Sequence, residues 1–266
     1  RDVKRPLLLV LVGAVLIGLR VRTAHEAQRE QEQQQAAAVR DAAADSAFAD
    51  SVLRAAEDIG AEVEVVGSAL PAPVRDANEI RLALEAYAAG TYIGEMFAER
   101  DSMNYRWPER VNAPLYVWVQ TATLEPEGSD WPRIVHESFH PWIETGIPVS
   151  FLPTEDSARA DVRVTWVERY ESRTTGRTRW VRDQHGWITA ASIELARTQP
   201  DGRPLDDAIV GAIARHEVGH LLGLTHTADE TNIMSARVRV RELSEADRAT
   251  VRLVYKLPPG SVRAAP

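Results

Sequence analysis

The sequence predicts an α+β domain over residues 104–258, preceded by a helical N-terminal region with an apolar head. Three observations predict it. Short apolar–polar alternations and helical periods interleave through that stretch. All seven tryptophans lie at or beyond Trp107, so the bulky core material starts there. One string, His216-Glu217-Val218-Gly219-His220-Leu221-Leu222-Gly223-Leu224-Thr225-His226, gathers three of the seven histidines on a helix and its exit turn.

The elements follow in order. Residues 6–19 are uninterrupted apolar, flanked by Arg1, Lys4 and Arg5 before and by Arg20 and Arg22 after. Fourteen helical residues span about 21 Å, short of a ~30 Å hydrocarbon core, and snorkelling basic ends cover the shortfall. Residues 1–24 therefore read as a membrane anchor or, alternatively, as a signal segment removed on export. Either sends the remainder out of the cytoplasm: membrane-anchored and extracytoplasmic in the first case, secreted in the second. Residues 25–66 form a stalk rich in Ala, Gln and Glu, helical to about Asp58, and available for self-association as a coiled coil. Residues 67–103 are a linker and a helix begun at Asp76 and weakened by Gly90 and Gly94. That helix either packs on the following domain or serves as a pro-segment.

Beyond residue 104, five stretches read as strands: 115–120, 148–152, 160–167, 177–182 and 186–195. Residues 131–145 are an amphipathic helix interrupted by Pro141. A helix from about Leu205 to Gly223 carries the histidine string, and residues 243–255 close the domain from a Ser244 cap. Residues 259–266 are a tail.

Each fixed position in the string has a chemical use. His216 and His220, four apart on a helix, point their imidazoles at one ion. Glu217, beside the first ligand, is placed to deprotonate water at the metal rather than to bind the metal. Gly223 lets the helix end in a left-handed turn that returns His226 as a third ligand. Three protein ligands leave a fourth position open, as in catalytic rather than structural zinc. His136-Glu137-Ser138-Phe139-His140 is formally a second such pair. It lacks the downstream Gly and His, and Pro141 follows its second His, so it is assigned no metal.

This long histidine string followed by Asn232-Ile233-Met234-Ser235 resembles the metzincin zinc proteases, closest to the matrixin branch, over about residues 105–257. The resemblance implies a twisted, mixed five-stranded sheet, an active-site helix, a methionine turn with Met234 beneath the zinc histidines, and a C-terminal helix. It also makes Trp187, Ile188, Thr189, Ala190 and Ala191 the edge strand along which substrate lies. Ala190 stands where matrixins have a histidine for a second, structural zinc, so one catalytic Zn²⁺ is expected. No calcium loop is evident.

The net charge of −8 does not suggest a nucleic-acid partner, and the absence of cysteine excludes disulfides and thiolate zinc sites. The expected activity is zinc-dependent endopeptidase cleavage of protein or peptide substrates, with Glu217 as the catalytic base. The alternatives are a zinc hydrolase of non-peptide amides and a membrane-tethered interaction module.

Overall fold

The structure, a computed structural model, describes residues 62–67, 70–121, 129–171, 174–199 and 201–263. The expected anchor and most of the expected stalk lie outside these residues. Among the described residues, no helix is long and apolar enough to cross a membrane.

A mixed sheet of six strands forms one layer. Its strands are β1 (Glu62–Val66), β3 (Arg110–Val119), β4 (Val149–Pro153), β5 (Val162–Val167), β6 (Gly176–Asp183) and β7 (Ile188–Ala196), in spatial order β1-β6-β7-β5-β3-β4; the short β2 (Met103–Asn104) pairs with β8 (Gly260–Ser261) in a separate two-stranded sheet. The pairs β4–β3, β3–β5 and β5–β7 are parallel, β6 is antiparallel to β7, and β1 is parallel to β6. Strand alternation decides the faces. Val162, Ala191 and Trp180 stand in register, as do Val164, Ile193 and Thr178, and all six are buried on the inner face. Arg163, Ser192 and Arg179 align on the outer face, where Arg179 pairs with Glu194 at 3.1 Å.

Helix α5 (Asp207–Leu221) packs against β6 and β7, and α3 (Trp131–Glu137) lies between α5 and β3. Three tryptophans secure α5 along its length. The indole N–H of Trp131 donates to Asp207 at 3.0 Å, that of Trp142 to the Arg215 carbonyl at 2.9 Å, and that of Trp107 to the Leu221 carbonyl at 2.9 Å. Each is a buried anchor that also satisfies its polar edge. Helix α6 (Glu245–Lys256) carries a complete capping box, Ser244 with Asp247.

Several expectations change. Glu62–Val66, at the end of the stretch assigned to the stalk and beyond its expected helix, is a strand: its valines favour extended backbone and it finds a strand edge to complete, raising the count from five to six. The helix expected after Asp76 divides into α1 (Ala77–Tyr87) and α2 (Ile93–Glu99), because Gly90 takes a φ of +76° between them. The region around Pro141 divides likewise into α3 and α4 (His140–Ile143), with Pro141 in the first turn, where its missing N–H is harmless. The expected substrate edge is not an edge. β7 is hydrogen-bonded to β6 on one side and to β5 on the other, while Ile188 N–H donates to the Arg106 carbonyl at 2.9 Å. Trp187 precedes the strand, with an isolated bridge to Arg106 on one side and its carbonyl accepting the Asp183 N–H at 2.9 Å on the other. The antiparallel strand outside β7 is β6.

Candidate metal centre

Helix α5 presents His216 and His220 on one face, both buried. The exit turn forms because Gly223 adopts a φ of +101°. A Cβ there would collide with the Tyr105 carbonyl, so glycine is required on both counts. The returning chain brings His226 Nε2 to 3.2 Å from His220 Nε2, which lies 3.1 Å from His216 Nε2. These spacings approach the about 3.3 Å separating tetrahedral ligands held about 2.0–2.1 Å from zinc.

The tautomers follow from the opposite ring nitrogens. His216 Nδ1 lies 2.6 Å from the Ile233 carbonyl and His220 Nδ1 lies 2.9 Å from the Leu224 carbonyl. A carbonyl only accepts, so both Nδ1 atoms carry the proton, and both Nε2 lone pairs face each other. In the neutral rings this is an arrangement that a bound cation would satisfy, so the donor set fits zinc. Among the described residues, His216, His220 and His226 are the only group so placed. His136 and His140 sit on separate short helices, and burial lowers the pKa of His136.

Met234 is fully buried, and its sulfur lies where a Cβ on Gly219 would be. Gly219 of the histidine string thus makes room for the methionine turn. Asp247 fixes that turn from α6: one carboxylate oxygen accepts the N–H of Ile233 at 3.0 Å and of Ser244 at 2.8 Å. Ile233 in turn holds His216 through its carbonyl, which links the cap of α6 to the first ligand.

Glu217 is almost fully buried under β6. The Thr178 hydroxyl donates to Glu217 Oε2 at 2.6 Å, and a Cβ on Gly176 would overlap the same carboxylate. The edge-strand residues named from sequence, Trp187 to Ala191, are thus one strand removed from Glu217. A cavity of about 350 Å³, lined by Glu64, Arg163, Arg179 and Ser192 among others, involves none of the histidines.

A matrixin family model matches residues 107–256, more than half of the chain. The chain belongs to the matrixin family. It is accordingly a zinc metalloprotease in its general type; the family implies a catalytic zinc, and the histidine triad is consistent with holding one. No curated protein matches the chain. Among solved structures, the GM1-bound form of the ECX AB5 holotoxin is similar at 15% identity, covering 62% of this chain and 88% of the other with a TM-score of 0.38.

Sequence reasoning missed the support that this matrixin receives from before residue 104. Arg100 donates to the carbonyls of Gly223 at 2.8 Å and Leu224 at 3.4 Å, setting a cation at the end of α5. Burial pushes its pKa down to about 10, which leaves it charged at neutral pH. Glu95 accepts the Ala228 N–H at 2.8 Å, and Tyr92 donates to Asp247 at 3.0 Å. Only the caps and the glycines carried a sequence signal. The partners of Arg100, Glu95 and Tyr92 are more than a hundred residues away.

Proposed function

We propose that this matrixin hydrolyses peptide bonds of protein substrates, with Glu217 as general base and then general acid. The observation that carries the reading is the convergence of His216, His220 and His226 beside a buried Glu217. When bound by the three histidines, zinc lowers the pKa of water at its open position and polarises a carbonyl. Glu217 takes the proton from the attacking water and passes it to the leaving amine nitrogen, which closes the proton balance. The His216 and His220 imidazole orientations are held by the carbonyls of Ile233 and Leu224, so these two ligands are preset to bind. Substrate would add as an extended strand to the outer side of β6, main chain to main chain. Supporting this are the contacts of Gly176 and Thr178 with Glu217. Side-chain preference would then come from the wall after Met234: Ser235, Ala236, Arg237 and Val238. The apolar run at residues 6–19 with its basic flanks supports an extracytoplasmic, tethered placement, which protease accessibility in intact cells would test.

The test compares wild type with Glu217→Ala, Glu217→Gln and His226→Ala, reading zinc by mass spectrometry and cleavage of a quenched peptide library. Both Glu217 variants should keep near-stoichiometric zinc and lose activity by a factor of about 10²–10⁴. His226→Ala should lose zinc. Wild-type activity in Glu217→Gln would refute the assigned base, and turnover of small amides without peptides would move the substrate class.

A further inference from the structure

Resting on the hydrolase reading above, we propose that Thr178 is the positioning residue for Glu217. It stands in β6, fully buried, with its hydroxyl 2.6 Å from Glu217 Oε2. The Glu217 main-chain carbonyl lies 3.1 Å from the same hydroxyl. A threonine has one hydroxyl proton, and the shorter contact, to a carboxylate, takes it. Gly176 completes the seat. It lies two residues earlier on the same face of β6, and any side chain there would displace the carboxylate. A glutamate on a helix has three side-chain torsions to fix, and here the neighbouring strand fixes the carboxylate plane. The role needs a hydroxyl and no more, so serine should serve and valine should not.

Thr178→Val, Thr178→Ser and wild type are compared for kcat, KM, zinc content, affinity for a zinc-chelating hydroxamate, and thermal unfolding of the metal-free protein. Misplacing a catalytic group lowers turnover by about 10- to 100-fold. The valine variant should therefore lose kcat on that scale with KM within about twofold. Its zinc content should be unchanged, its hydroxamate binding weaker, and serine should restore both kcat and hydroxamate affinity. The proposal is overturned if valine keeps kcat within twofold of wild type, or if serine and valine fail equally. If wild type shows no Glu217-dependent cleavage, the parent reading falls. Glu217-dependent cleavage with an unimpaired valine variant removes only the role of Thr178.

Glu62–Val66 already pairs with Arg179–Asp183, in parallel register from Glu62 opposite Arg179 to Val66 opposite Asp183. We infer that this stretch is a resident strand that a substrate strand must displace before it can use that part of the edge. A strand sends successive N–H groups to alternate sides, so Glu64→Pro with Val65→Pro removes one donor facing β6 whichever phase holds. In the full chain, this double variant should exchange the amides of Arg179–Asp183 faster than wild type. It should also cleave long peptides with kcat/KM raised several-fold, and a Glu-Val-Glu-Val-Val peptide should reverse both effects. Unchanged exchange at β6, or faster exchange without any gain on long peptides, overturns the inference. Exchange slowed by an added long peptide, read on the inactive Glu217→Ala background, reports edge occupancy even if the hydrolase reading fails.

Discussion

At the scale of single residues, the site is shaped by atoms that are missing as much as by those present. Gly219 lies between the two α5 histidines, and a methyl group there would strike Met234 Sδ and the Trp142 ring. Both neighbours are fully buried and have no room to retreat. Gly219→Ala should therefore destabilise the protein by about 1–3 kcal/mol, the usual cost of overpacking, despite the better helix propensity of alanine. Denaturant unfolding of the metal-free protein measures it, and a gain in stability would show that the methionine turn is looser than the contacts indicate. Gly223→Ala should be worse, because it adds a left-handed strain to a clash with the Tyr105 carbonyl.

At the scale of elements, the C-terminal helix controls the metal centre from a distance. Asp247 completes the capping box of α6 and accepts the Ile233 N–H, while the Ile233 carbonyl orients His216. Asp247→Ala leaves two backbone donors without their acceptor, each costing about 1–3 kcal/mol where it stays buried. The expected outcome is a large stability loss together with weaker zinc binding, by less than the about 10–100-fold typical of a group bonded to the ligand itself, because Asp247 acts through Ile233. Competition with a chelator measures the second effect. Unchanged zinc affinity in a folded Asp247→Ala protein would break the proposed link from α6 to His216. Ser244→Ala removes the cap and the 2.6 Å hydrogen bond from the Ser244 hydroxyl to Asn232 Oδ1 but spares the contact of Asp247 with Ile233, so it should cost about 1–2 kcal/mol and leave zinc affinity nearer to wild type.

At the scale of the whole molecule, two conditions should move stability. One zinc per chain is expected, and at free zinc a hundredfold above Kd, mass action adds about 2.7 kcal/mol to the folded state. Two tightly held zincs would reopen His136 and His140. The second condition is alkaline pH. Burial raises the pKa of Tyr92, Tyr170 and Tyr255 above the ordinary 10.0, with Asp247 adding to the shift at Tyr92 and Glu194 at Tyr170. Below that value the phenols are protonated in both folded and unfolded chains, and stability is untouched. Above it the unfolded chain releases protons that the folded chain keeps, so stability falls as pH rises. Thermal midpoints should hold at pH 8–9 and drop beyond about pH 10, and a flat profile to pH 11 would contradict this burial.

What the sequence determined by itself was the chemistry that is local along the chain. His216, Glu217, His220, Gly223 and His226 fall within eleven residues, so helix geometry and one glycine turn bring three ligands together. The capping box at Ser244 and the strand alternation at Val162, Val164 and Trp166 are equally short-range signals, and they stood. Tertiary structure decided what depends on neighbours. Residues 188–196 and 176–183 both have strand character, and only the ladder shows that β7 is interior while β6 lies over Glu217. Glu62–Val66 became a strand because an unpaired edge was available to it. Arg100 acquired its place at the turn after α5 because folding brings residues 100 and 223 together. Patterns of spacing encode faces and turns. Which face meets which edge is set by burial of the whole core, and no local window contains that information.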